Sequence, residues 1–221
     1  MKKLVIFDLD GTLINSIKDL GAATNFALEK NGYPTHPLDS YPMFVGNGVA
    51  NLIRRALPDH ARTDSNVALL KKDFTMYYDV HNLDRTVPYD GISELLQTIQ
   101  SKGILIAVAS NKYDEATKKL VTSLFPSVGF VAVEGQKEGI PVKPDPSIVF
   151  EILAKTGVPK KDVLYVGDSG VDMETARRAC VDSCGVTWGF RSEDELRANY
   201  ANNIVHSPEE IMSLIISSEQ I

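Results

Sequence analysis

The chain has 221 residues, 43% of them hydrophobic, and a formal net charge of -6 at pH 7. That length buries a substantial core in one or two domains. The acidic balance, with basic residues clustered only in pairs such as Lys71-Lys72 and Arg177-Arg178, argues against a nucleic-acid binder.

No apolar run approaches the roughly 18 residues of a membrane span, and Met1-Lys2-Lys3 leads into only a short apolar stretch, so neither a membrane partner nor a secretory signal is expected. Cys180 and Cys184 have no His or second cysteine pair near them. They read as reduced, structural thiols of a cytoplasmic protein.

In chain order, Leu4 to Phe7 has strand length and runs straight into Asp8-Leu9-Asp10-Gly11-Thr12. If the strand continued, Asp8 and Asp10 would share a face and repel, so something positive or a shared proton has to compensate. The next strand signal lies roughly 70 residues on, near Pro88, far beyond an ordinary strand-to-helix connection. Three helical faces fill the gap: Ile17, Leu20, Thr24, Ala27 and Leu28; then Val49, Leu52, Ile53, Ala56 and Leu57; then Val67 to Tyr78.

After Pro88 helices and strands alternate. Helices are predicted over Ile92 to Ser101, Glu115 to Leu124 and Ile148 to Lys155, and strands over Ile104 to Ala109, Phe130 to Val133 and Val163 to Val166, with a weaker strand from Gly185 to Trp188. Apolar strands separated by helices indicate a parallel sheet covered on both faces. The expected class is α/β: a Rossmann-like three-layer parallel-sheet core from residues 1–14 and 86–221, with an inserted α-helical cap domain over residues 15–85.

Ligands of such sheets gather at the carboxyl ends of the strands. Four such ends carry polar groups: Asp8-Leu9-Asp10-Gly11-Thr12, Ser110-Asn111-Lys112, Lys143-Pro144-Asp145-Pro146, and Gly167-Asp168-Ser169-Gly170-Val171-Asp172. In the third, Asp145 is expected to cap a helix whose first residue is Pro146. Singly each has a bland reading as a turn, a cap or a surface charge. Together, carboxylates with a lysine, a hydroxyl and backbone N–H groups suit a hard divalent ion and a phosphate at once.

The reading that follows is phosphoryl transfer from a phosphomonoester to Asp8 and then to water. Asp8, Asp168 and the backbone carbonyl of Asp10 are the expected Mg²⁺ ligands. Asp10 is the candidate general acid and base. Lys143 and Ser110 would balance the charge of the transferring group, with Asp172 and Ser169 orienting the metal ligands.

These four stretches, in this order, resemble the motifs of the haloacid dehalogenase superfamily of aspartate-nucleophile phosphatases: "DLDGTL", the Ser110 stretch, "KPDP" with Lys143, and "GDSGVD". Residues 15–85 resemble the cap that this superfamily inserts after its first motif. "VGNGVANLIRRAL" and "GVTWGFRSEDEL" look most like phosphoglycolate phosphatases. The resemblance implies a small phosphorylated metabolite as substrate, a monomer or homodimer, and phosphate or substrate contacts from Thr12, Ser110, Asn111 and Lys143. From the cap, Gly46, Asn47 and Gly48 are expected to approach the substrate closely. Arg55 is expected either to meet a substrate carboxylate or to form a surface ion pair.

Rival readings are a sugar phosphomutase of the β-phosphoglucomutase type, a pyrophosphatase or nucleotidase, and a catalytically silent binding protein. The mutases resemble one another in a histidine soon after the first motif, and Ile17-Lys18-Asp19-Leu20 contains none.

Overall fold

A computed structural model of the chain describes residues 1–216. Its elements, in order, begin with β1 (Leu4–Phe7), β2 (Ile14–Asn15), α1 (Ile17–Lys30), α2 (Val49–Ala56), α3 (Asp64–His81), β3 (Val87–Pro88) and α4 (Ile92–Ser101). They continue with β4 (Leu105–Tyr113), α5 (Asp114–Leu124), β5 (Phe130–Gln136), α6 (Ser147–Thr156), β6 (Val163–Gly167) and α7 (Gly170–Ala179). β7 (Asp182–Val186), α8 (Glu193–Ala198), β8 (Asn203–Val205) and α9 (Pro208–Ile216) follow.

Six strands form one sheet in the order β5-β4-β1-β6-β7-β8, with every pairing parallel. The chain winds from β1 through β4 to β5 on one side and returns through β6, β7 and β8 on the other. The direction of winding therefore reverses beside β1, and a crevice opens there at the carboxyl ends of the strands.

β1 is wholly buried because both its faces are covered. Val5 and Phe7 pack with Leu96, Ile99 and Ile211 of α4 and α9, while Leu4 and Ile6 pack with Val149, Ile152 and Ala176 of α6 and α7. Each such side chain contributes on the order of 1.5–3 kcal/mol by leaving water. The fold is thus the three-layer α/β arrangement expected from the apolar strands.

α1, α2 and α3 enclose an apolar cluster of their own, including Leu20, Leu28, Ile53, Leu70, Phe74 and Tyr78, to which α5 adds Ala116. All three helical faces read from the sequence lie on these helices, except that Leu57 is the extended residue after α2. β2 and β3 pair antiparallel where the chain leaves and re-enters the sheet. There Asp19, buried on α1, accepts bonds from the Arg85 backbone N–H (2.9 Å) and the Thr86 hydroxyl (2.7 Å).

Several expectations need correction. The weak strand runs Asp182–Val186 and stops before Trp188, whose indole instead donates to the Thr12 carbonyl at 3.0 Å. α6 starts at Ser147 with Pro146 before it, so Asp145 stands one residue further out, yet its carboxylate still accepts from the Ser147 N–H at 2.9 Å. Of the two thiols only Cys184 is buried, where burial pushes its pKa up to about 12; Cys180 is exposed. Among the described residues no helix is long and apolar enough to cross a membrane.

Candidate active site

β1 ends at Phe7, one residue before the first carboxylate. The next residues leave the strand in a tight loop in which the Gly11 N–H donates to the Ile14 carbonyl at 2.9 Å. Gly11 needs its positive φ of 91° there, and a Cβ on it would lie 2.3 Å from an Asp168 carboxylate oxygen. The loop therefore puts Asp8 in the crevice and Asp10 on the wall of the same cleft. Asp10 accepts a bond from the Ser16 hydroxyl and pairs with Lys112 Nζ at 3.1 Å.

The adjacent strand ends deliver the remaining groups. β4 and β5 shift register once between Ile106 and Ala107 and again between Ala109 and Tyr113, and at the second shift Ser110, Asn111 and Lys112 drop out of the ladder. β6 ends at Gly167, placing Asp168 across from Asp8. α7 opens with a capping box: the Ser169 hydroxyl accepts from the Asp172 N–H, and the Asp172 carboxylate accepts from Ser169.

Lys143 joins these ends. Its ammonium is 2.8 Å from Asp8 Oδ1, 2.7 Å from Asp172 Oδ1, 2.9 Å from the Ala109 carbonyl and 3.1 Å from the Tyr165 hydroxyl. Burial disfavours that ammonium, but the Asp172 and Asp8 carboxylates outweigh it and hold the Lys143 pKa well above its ordinary value. Burial pushes Asp8 up to about 7, with Lys143 opposing and Asp172 adding to the rise. Burial, then Asp172 and Asp8, also raise Asp168 well above the ordinary carboxylate range.

Oxygen atoms of Asp8, Asp168 and Asp172 lie within 4.8 Å of one another. Three buried carboxylates facing one ammonium leave a deficit of positive charge, and an all-oxygen donor set suits Mg²⁺. Asp172 has less to offer a metal, because one oxygen takes Lys143 and the other takes Ser169 at 2.6 Å. Asp8 takes Lys143 on one oxygen, and Asp168 takes the Phe190 N–H at 2.7 Å and, at a longer 3.4 Å, the Thr12 hydroxyl, so neither carboxylate carries an ammonium and a hydroxyl at full strength as Asp172 does. The Asp10 carboxylate points to Ser16 and Lys112, which leaves only its backbone carbonyl for that role.

A cleft open to solvent lies over Asp8 and Asp10. Ser110, Asn111 and Lys143 line it from the sheet, and Gly46, Gly48 and Val49 from the helical insertion. Other expected contacts are spent elsewhere. The Thr12 hydroxyl is fully buried and turned to Asp168 at 3.4 Å. The Asn111 amide holds the Lys143 backbone at both N–H (2.8 Å) and carbonyl (3.1 Å) and reaches the Gly46 carbonyl at 3.2 Å.

Asn47 and Arg55 do not line the cleft. Arg55 binds the Asn47 side chain at 2.6 Å and the Phe44 carbonyl at 2.9 Å, so it fastens the loop that carries Gly46 and Gly48. Among the described residues Arg55 forms no surface ion pair either. Arg191, which the sequence did not single out, fastens the same loop from the sheet side through the Val45 carbonyl at 2.7 Å.

Two other residues escaped the sequence reading. Lys112 followed the Ser110 stretch but drew no role, although its side chain is buried in the cleft wall against Asp10. Gly189 sits so close to Asp168 that a Cβ would be 2.3 Å from that residue's own Cβ, and the next backbone N–H, of Phe190, donates to Asp168 Oδ2 at 2.7 Å. The signal for Gly189 was its place just past a strand of the sheet.

The haloacid dehalogenase-like hydrolase family model matches residues 5–186. A phosphoglycolate phosphatase of Pseudomonas syringae pv. tomato is 34% identical over 193 residues, 86% of this chain and 71% of that protein. One from Pasteurella multocida is 34% identical over 194 residues, 85% of this chain and 87% of that protein. Among solved structures, a provisionally named phosphoglycolate phosphatase of Lactobacillus delbrueckii subsp. bulgaricus superimposes with a TM-score of 0.91 at 34% identity, covering 98% of this chain and 100% of that one.

Proposed function

The chain belongs to the haloacid dehalogenase-like hydrolases and resembles their phosphoglycolate phosphatases, and from that premise we propose that it hydrolyses a small phosphomonoester, 2-phosphoglycolate, through a phosphoryl group carried on Asp8. The observation that carries this reading is the Lys143 ammonium bridging Asp8 and Asp172 at the crevice beside β1. It fixes one Asp8 oxygen at the crevice and opposes the rise in pKa that burial imposes on that carboxyl.

An Asp8 oxygen forms a bond to phosphorus as the bond to the leaving alcohol breaks, and Asp10 gives its proton to that alcohol. In the second half Asp10 takes a proton from water as the water oxygen bonds to phosphorus, which frees Asp8 and inorganic phosphate. Lys143 and the Ser110 hydroxyl, which accepts from the Lys112 N–H at 3.2 Å and keeps its own proton to donate, balance the charge on the phosphoryl oxygens. Mg²⁺, held by Asp8, Asp168 and the Asp10 carbonyl with Asp172 and Ser169 behind them, would supply further positive charge next to those oxygens. Residues 15–85 act as the cap that covers the cleft and keeps bulk water out.

Asp8→Asn keeps the size of the side chain and removes the nucleophile. Turnover of 2-phosphoglycolate should fall by about 10⁴-fold or more, with the circular dichroism spectrum unchanged. Excess EDTA should stop the unaltered enzyme, and added Mg²⁺ should restore it. Undiminished rates in either case refute the mechanism.

A further inference from the structure

The cleft raises a question of selectivity, since Leu20, Val45, Val49 and Leu52 give much of its wall an apolar surface. A carboxylate on the leaving group would lose its water there and needs a cation in exchange. Among the described residues lining the cleft, the cations are Lys143 and Lys112. Lys143 already has four oxygen partners for its three N–H groups. Arg55 is outside the cleft and committed to its own loop.

Lys112 differs on both counts. Its ammonium has two oxygen partners, Asp10 Oδ2 at 3.1 Å and the Tyr78 hydroxyl at 2.8 Å, and lies 4.5 Å from the centre of the Tyr78 ring. One of its three N–H groups is left for a further acceptor. Tyr78, fully buried on α3, holds that ammonium in place from the helical insertion.

We infer that Lys112 is the specificity residue of this site, binding a carboxylate attached to the carbon that bears the phosphoester. The inference rests on the phosphatase reading above and deepens it. Lys112 pairs with the Asp10 carboxylate that would meet the leaving oxygen, so an acceptor held close to that oxygen comes within reach of the remaining N–H of Lys112. A carboxylate one carbon away meets this condition, whereas a neutral alkyl group offers no acceptor. A carboxylate one methylene further out has to freeze one more rotatable bond to be held at Lys112. The match is to short 2-phosphooxy acids rather than to sugar or nucleoside phosphates.

The test compares kcat/KM for 2-phosphoglycolate, 3-phosphooxypropanoate and ethyl phosphate in the Mg²⁺-supplemented enzyme and in Lys112→Met. Lys112 also pairs with Asp10, so the variant should slow every substrate, and the ratio between substrates is the readout. The unaltered enzyme should prefer 2-phosphoglycolate to ethyl phosphate and to the longer acid. Lys112→Met should shrink the 2-phosphoglycolate to ethyl phosphate ratio by about 100-fold, as expected for the loss of a buried charge partner.

A variant that keeps the original ratio overturns the role of Lys112 while leaving 2-phosphoglycolate as the substrate. An unaltered enzyme that treats 2-phosphoglycolate and ethyl phosphate alike overturns both. Should the variant fail to fold, the three substrates on the unaltered enzyme still decide: preference for the longer acid contradicts the short reach from Asp10.

Discussion

Lys143 is a fully buried ammonium whose removal would leave Asp8, Asp168 and Asp172 facing one another across a few ångströms. Breaking a buried pair by deleting one partner typically costs 3–5 kcal/mol, because the abandoned charge stays out of water. Lys143→Met is therefore expected to lower stability by about 3 kcal/mol in urea unfolding without added metal; an unchanged midpoint would show that the lysine does not neutralise this site. Asp10 carries a different expectation. Asp10→Asn should depress kcat far more for an alkyl phosphate, whose alkoxide needs a proton, than for p-nitrophenyl phosphate, whose leaving group does not. Equal losses on both would remove Asp10 as the proton donor.

Among the elements, the loop after β7 does more than link it to α8. It brings Gly189 and the Phe190 N–H against Asp168. Gly189→Ala has to displace the Asp168 carboxylate or the Gly11 carbonyl, which a Cβ would meet at 2.4 Å. It should weaken activation by Mg²⁺ at least tenfold by this displacement, as seen in the Mg²⁺ concentration giving half-maximal rate; an unaltered dependence would mean that Asp168 does not hold the metal.

The sequence shows Asp8, Ser110 and Asp168 because each directly follows an apolar run buried on both faces, a pattern with a local physical cause. It shows Lys112 only as part of the Ser110 stretch and does not single out Gly189, because the groups that each of them meets are far away in sequence. The Tyr78 partner of Lys112 is 34 positions upstream, and the neighbour of Gly189 is a side chain rather than a turn. β8 escaped for another reason: three residues paired to β7 at the sheet edge carry too little pattern to read. Thr12 and Arg55 were legible as polar residues near the site but not in their orientation. Competing backbone and carboxylate partners fix that orientation.

At the scale of the molecule, three apolar clusters lie on the two faces of the sheet and within the helical insertion. The sheet's carboxyl end and the insertion meet through polar contacts around the cleft: Arg191 to Val45, Asn111 to Gly46 and Lys112 to Tyr78. Each links a loop or bulge at the strand ends to the helical insertion, so the two parts of the cleft wall are held in register with one another.

The central claim is that Asp8 itself becomes phosphorylated. Mixing the enzyme with 2-phosphoglycolate and Mg²⁺, quenching in acid within the first turnovers and sequencing the amino-terminal peptide by mass spectrometry tests it directly. The account predicts a phosphoryl mass on Asp8 that is absent from Asp8→Asn and disappears as substrate is exhausted. A phosphoryl group found on Asp10 or Ser110 instead, or rapid turnover with none on the peptide at any time, would contradict it.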